Sequence, residues 1–229
     1  MSLDVAIVRL RDALERLCRE HAPVALASSL GAEDMVLTDL IARRLPAQID
    51  LFTLDTGRLP QQTHELIDRV RERYGLALRV HLPERARLED FLNKHGSNPF
   101  YRSVALRREC CAIRKVEPLQ RALHGYGAWL TGLRREQSVT RKALAELTWD
   151  EENGLYKASP LLEWSEAEVW EYLRRFEVPY NSLHDQHYPS IGCAPCSRAV
   201  AAGEELRAGR WWWEQTESKE CGLHRATAG

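Results

Sequence analysis

With 229 residues, 44% hydrophobic and 28% charged, the chain has the composition of an ordinary globular protein and enough length for one large α/β domain, or barely two small ones. Its formal charge of -1 speaks against bulk nucleic-acid binding, and no apolar run is long enough to span a bilayer. Residues 1–20 have neither the apolar stretch nor the cleavage site of a secretory signal, so a cytoplasmic location with reduced thiols is expected.

Residues 3–20 place Val5, Val8, Leu10, Leu14 and Leu17 near helical spacing and predict an amphipathic helix, with Cys18 packing on its apolar stripe. Val24–Ser28 reads as a short buried strand, residues 28–34 as the turn after it, and 35–45 as a helix with Val36, Leu37, Leu40 and Ile41 on one face. A strand, a loop of small residues (Ser28, Ser29, Gly31) and a helix start near Asp34 can cradle an anion, because free backbone N–H groups and the helix dipole point at it. The loop lacks the GxxxxGK(S/T) pattern and, taken alone, reads equally well as a plain βα turn.

A second strand, Asp50–Asp55, leads into Thr56-Gly57 and a helix opened by Pro60, whose buried face is Leu66, Ile67, Val70 and Tyr74 and which Gly75 ends. Residues 76–82 form a third strand. This alternation predicts an α/β fold, a mostly parallel twisted sheet with helices on both faces, as a single domain over residues 1–210. In such sheets ligands bind at the carboxyl ends of strands, where Ser28–Gly31 and Asp55–Gly57 both fall.

Residues 87–109 are mixed helix and loop; from Cys110 a helix is expected to Leu123, with Val116, Leu119 and Leu123 inward. A fourth strand at 128–133 delivers Arg134 and Arg135 at its end. Residues 147–150 and 154–158 read as a hairpin about Asn153-Gly154, and the helix after it opens with a capping box, Ser165 and Glu168. Residues 179–200 are loop-rich. After Gly203 a helix is expected to carry Arg207 and Arg210 on one face. Trp211-Trp212-Trp213 cannot all be buried by one helix, so some cover a neighbour or stand exposed. Residues 214–229 are polar and glycine-punctuated, and 211–229 read as a mobile tail holding Cys221.

Four cysteines stand out as Cys110-Cys111 and Cys193-Ala-Pro-Cys196, a soft donor set suited to zinc, copper(I) or an iron–sulfur cluster. Adjacent side chains point apart and reach one zinc ion with difficulty, whereas each iron corner of a cubane needs only one protein sulfur. The residues therefore favour a 4Fe–4S cluster and leave zinc as the alternative. His184 and His187 precede the second pair, but four sulfurs already suffice.

Together with Glu220-Cys221-Gly-Leu-His224, these elements resemble the assimilatory adenylyl-sulfate (APS) reductases, the iron–sulfur branch of the phosphoadenylyl-sulfate (PAPS) reductase family, over about Val24 to His224. The loop from Ser28 to Asp34 is similar to that family's modified pyrophosphate loop, and Leu54-Asp55-Thr56-Gly57 to its second nucleotide-contacting turn. The resemblance implies an adenine nucleotide α-hydrolase-like fold and a 4Fe–4S cluster on Cys110, Cys111, Cys193 and Cys196. It also implies reduction of APS to sulfite and AMP, with thioredoxin as reductant. Cys221 would attack the sulfo group as a thiolate, Lys115 would link cluster and substrate, and Arg207 and Arg210 would grip the phosphosulfate. One of Arg134 and Arg135 would contact substrate, and His224 would orient or charge-support Cys221.

Three other readings stay open. A PAPS or dual APS/PAPS reductase differs by one 3′-phosphate, and an ATP-pyrophosphatase-type sulfur transferase would need ATP and usually a basic RNA surface. A zinc-stapled redox sensor would use Cys221 as its reactive thiol. The sequence leaves a homo-oligomer open.

Overall fold

The computed structural model describes residues 2–76, 78–137 and 145–214. Six strands, β1 (Val24–Ala27), β2 (Ile49–Leu54), β3 (Arg79–His81), β4 (Ala128–Leu130), β5 (Leu147–Asp150) and β6 (Leu155–Ala158), form one sheet in the order β3-β2-β1-β4-β6-β5. β1 runs parallel to both β2 and β4, and β4 parallel to β6; the hairpin strand β5 lies antiparallel on β6, with Gly154 in the left-handed conformation its turn requires. Central β1 reads Val-Ala-Leu-Ala because a parallel strand is covered on both faces; its Val24, Ala25 and Leu26 are buried.

The helices are α1 (Leu3–His21), α2 (Ala32–Arg44), α3 (Gln61–Tyr74), α4 (Arg85–His95), α5 (Val104–Cys111), α6 (Glu117–Leu123) and α7 (Glu166–Arg175). Ser2 caps α1, and the Ser165–Glu168 capping box opens α7 as the sequence predicts. Among the described residues no helix is long and apolar enough to cross a membrane.

The chain divides into two compact units. The first comprises Met1–Thr53, Gln61–Arg79 and Leu123–Ser182; the second comprises Leu54–Pro60, Val80–Ala122 and Leu183–Gly229. In the first, Leu10, Leu14, Leu26, Met35, Leu37, Ile41, Val70 and Tyr172 belong to one apolar core. Inside it Asp39 is wholly buried, which is tolerable only because it is bonded: Tyr172 and Tyr74 each donate to it at 2.8 Å, and Arg43 Nε lies 2.8 Å away. That network ties α2, α3 and α7 together. In the second unit, Phe100, Cys196 and Trp211 form a smaller buried cluster against which Cys110, Cys193 and Trp213 pack.

Several expectations need correction. Val5 and Val8 are 45% and 46% exposed, because the face of α1 that packs is Leu3, Ala6, Leu10, Leu14 and Leu17. Helix α2 begins at Ala32, so Asp34 sits in its first turn, and β3 is only three residues long. The helix expected from Cys110 instead starts at Val104, capped by Ser103, and closes at Cys111. A π-helical turn, Ala112–Val116, joins it to α6. The helix expected after Gly203 does not form. Residues 201–209 are turns, held by Arg198 N–H donating to the Gly209 carbonyl at 3.0 Å and by an antiparallel bridge between Ser197 and Arg210. Gly209 has no room for a side chain, because a Cβ there would collide with the Arg198 carbonyl.

Candidate functional site

In the first unit the loop after β1 is organised by one carboxylate. Asp34 Oδ2 accepts from both the backbone N–H and the hydroxyl of Ser29 at 2.6 Å, and Oδ1 accepts from the backbone N–H of Gly132, after β4, at 2.8 Å. The Ser28 hydroxyl accepts from Leu30 N–H, and Ser29 Oγ from Gly31 N–H at 3.3 Å. Leu30 holds φ +61°, a strained value for a branched side chain and one that recurs at ligand loops. Gly31 is the N-cap of α2 and offers no side-chain cap, so that end of the thirteen-residue helix keeps N–H groups for another acceptor. Burial pushes the Asp34 carboxyl up to about 6, with Glu33 adding to the rise and the Ser29 and Gly132 bonds opposing it. Ser28 and Asp34 are buried and serve the loop's own architecture, whereas Ser29 is exposed.

The strand β4 ends at Leu130, and Thr131 to Arg134 after it are buried. Arg134 bonds Glu33 at 2.8 Å and Glu136 at 3.2 Å, while the half-exposed Arg135 pairs with Glu163. The two neighbouring arginines thus have different surroundings, a distinction the sequence could not supply.

In the second unit β2 ends at Leu54, and the following Asp55 carboxylate accepts from Gly57 N–H at 2.8 Å, with Gly57 at φ +67°. Buried Thr56 sets its hydroxyl 3.2 Å from Cys193 Sγ, and its carbonyl accepts from Arg114 at 2.5 Å. Ala194 N–H donates to the Arg58 carbonyl, fixing the Cys-Ala-Pro-Cys turn on the same segment. Burial raises the Cys110 thiol, as does Cys193, while Arg114 and Arg58 lower it. Burial pushes Cys196 up to about 12, with Cys193 and Cys110 adding to the rise and Lys115 and Arg210 pulling it down. Cys111 hydrogen-bonds with the buried Arg107.

The structure therefore brings Cys110, Cys193 and Cys196 into one neighbourhood, with Cys111 next in the chain, and none of the described cysteines is in a disulfide. Among the described residues no three His, Cys, Asp or Glu side chains are arranged to hold a single metal ion. The donor set fits a sulfur-ligated cluster: three thiols against one apolar cluster and a fourth next in the chain, with cations Arg58, Arg107, Arg114, Lys115 and Arg210 acting on them to offset thiolate charge.

Arg210 is buried, its Nε donating to the Cys196 carbonyl at 3.2 Å, and Arg207 is half-buried. Neither lies on the solvated helix face their spacing suggested. Trp211 is buried, Trp212 exposed and Trp213 half-buried. Cys221 and His224 lie outside the described residues. Sequence reading missed Arg114, although its position four residues after Cys110 repeats the Cys111–Lys115 spacing. It also missed Gly132, whose only signal was its place after a strand, and Arg107 and Glu214, which carried none.

A sequence profile of the phosphoadenosine phosphosulfate reductase domain matches residues 23–199. A relative named adenosine 5′-phosphosulfate reductase from Allochromatium vinosum is 56% identical over 213 residues, 93% of this chain and 82% of its own. Relatives of the same name from Burkholderia cepacia and Neisseria meningitidis serogroup B are 52% and 50% identical over 98% and 94% of this chain, covering 90% and 88% of their own. A crystal structure of PAPS reductase from Candida auris superposes with a TM-score of 0.70 at 31% identity, over 83% of this chain and 90% of that one. An NH3-dependent NAD synthetase from Campylobacter jejuni shares the fold alone, at TM-score 0.56 and 13% identity, over 78% of this chain and 75% of that one. A mostly parallel α/β sheet with structured loops at its strand ends and a cysteine array defines the class. The chain belongs to the phosphoadenosine phosphosulfate reductase family.

Proposed function

We propose that this chain is an adenosine 5′-phosphosulfate reductase of sulfate assimilation. What carries the reading is identity of 50–56% over nearly the whole chain to relatives of that name. The Cys221 thiolate attacks the sulfur of the sulfo group; the S–O bond to the nucleotide breaks, AMP leaves with the electron pair, and a cysteine S-sulfonate remains. A dithiol reductant of the thioredoxin type then attacks Cys221 Sγ, releasing sulfite. Its second thiol resolves the mixed disulfide, so sulfate sulfur gains two electrons and the dithiol becomes a disulfide.

The uncapped start of α2, just past the Ser29–Gly31 loop, binds an anionic part of the nucleotide, with Asp34 holding the loop in shape. Asp55, Thr56 and Gly57 form the second nucleotide turn. Lys115, Arg207 and Arg210 supply positive charge to oxygens that become more negative as the S–O bond breaks. Cys110, Cys111, Cys193 and Cys196 would hold a 4Fe–4S cluster, which when bound contributes fixed charge and rigidity to the segments carrying Lys115 and Arg210. His224, three residues beyond Cys221, supports the thiolate form of the nucleophile.

The test is the ratio of kcat/KM for APS and for PAPS in anaerobic assays with a regenerated dithiol and no ATP. Sulfite release favouring APS by at least about tenfold, a difference of about 1.4 kcal/mol in transition-state binding, supports the reading. Preference for PAPS, or dependence on ATP, overturns it.

A further inference from the structure

Three identical side chains in a row, Trp211, Trp212 and Trp213, pose a packing problem. Only one enters the buried cluster with Phe100 and Cys196, yet either of the others could fill the same slot after a slip of one or two residues. Apolar packing alone leaves the register degenerate. Moreover, Trp211 holds φ +42°, a left-handed conformation strained for a bulky side chain. Such strain persists only where the surroundings over-determine it.

The over-determining contact on the far side of the run is a buried ion pair. Arg107, from α5, is buried and grips Glu214 through two parallel bonds, Nε to Oε1 at 2.9 Å and Nη2 to Oε2 at 2.8 Å. Its guanidinium carbon and that of Arg210 each lie 4.7 Å from the Trp211 ring. Glu214 N–H donates to the Trp211 carbonyl at 2.8 Å, closing the turn that contains the tryptophans. A buried ion pair adds little net stability over an apolar pair of similar size; its best-attested use is to fix register. A forked arginine–carboxylate contact is well suited to that, because only one alignment satisfies both bonds.

We propose that the Arg107–Glu214 pair is a register lock on the tryptophan run, and that Arg107 is a positioning residue for the sulfo transfer. The Ser197–Arg210 bridge holds the near side of the run; the lock fixes Glu214 on the far side, from which the chain continues toward Cys221. A slip of one residue would displace Glu214 by about 3.5 Å, beyond the tolerance of a reaction in which about 1 Å of misplacement can cost about a hundredfold. The proposal rests on Cys221 as nucleophile, but its structural half is readable without any nucleotide.

The test uses iron-loaded protein labelled with 5-fluorotryptophan. Wild type should give one fluorine resonance for each of its seven tryptophans. Arg107→Met/Glu214→Met should split the resonances of residues 211–213 and leave the other four unchanged. It should also slow single-turnover S-sulfonation of Cys221 by at least about tenfold, with nucleotide affinity little changed. Adding Trp212→Gln and Trp213→Tyr, which leaves one residue able to fill the slot, should restore a single set of resonances and most of the rate. If the double variant loses iron or fails to fold, Glu214→Gln is read in its place, since it leaves Arg107 on Cys111. Unsplit resonances, a split without a rate loss, or a rate loss that the extra substitutions do not repair would each overturn the lock. If wild type takes up no sulfonate while the resonances split as expected, the nucleophile assignment has failed and the register lock stands without its catalytic role.

Discussion

The backbone N–H of Gly132 donates to Asp34 at 2.8 Å, joining the segment after β4 to the loop after β1 through one buried carboxylate. The contact depends on glycine, since a Cβ at residue 132 would collide with Asp34 Oδ1 and crowd Glu33. Gly132→Ala should therefore cost about 1–3 kcal/mol of stability by overpacking and weaken nucleotide binding with it. Urea unfolding together with calorimetric titration of AMP checks both; unchanged values would mean the loop shifts freely.

Asp34 should also leave a pH signature. Its folded-state pKa of about 6 lies above the ordinary 3.8, so the native state holds the extra proton. The resulting stabilisation is complete below the unfolded value and is lost as pH rises through about 6. Relative to Asp34→Asn, wild type should lose stability on the order of 3 kcal/mol between about pH 4 and pH 7. A constant gap between the two proteins across that window would mean that Asp34 stays ionised throughout.

The two arginines after β4 should separate cleanly. Arg134→Ala strands the largely buried Glu33 and should destabilise by about 3 kcal/mol. Arg135→Ala breaks a half-exposed pair with Glu163, whose loss should cost less than about 1 kcal/mol. Any rise in KM in a stable Arg135→Ala protein therefore reports substrate contact rather than folding.

Much of the fold was legible because the alternation of helix and strand is written in local periodicity and in Gly75, Asn153-Gly154 and the Ser165–Glu168 box. The site was half legible: cysteine spacing identifies a soft donor set wherever it falls. What stayed hidden was non-local. Arg207 and Arg210 are three apart, which suggested a helix, but pairing with Ser197 and Arg198 overrides that local preference. Nothing near Arg107 announces Glu214, 107 residues away. The π turn after Cys111 likewise has no periodic signature.

Arg114 sits buried, donating to the Thr56 carbonyl and opposing the rise that burial imposes on the Cys110 thiol. Arg114→Met should lower iron retention by about 10–100-fold, the usual cost of losing a partner behind a ligand. Iron content after timed exposure to chelator measures it, and wild-type retention would exclude the role.

The most direct test of the central claim is anaerobic intact-mass measurement after mixing the protein with APS and no reductant. Wild type should gain the mass of one sulfonate and Cys221→Ser none, with AMP released in equal amount. A sulfonate appearing on Cys221→Ser, or sulfite released at the wild-type rate by that variant in the presence of a dithiol, would contradict the account.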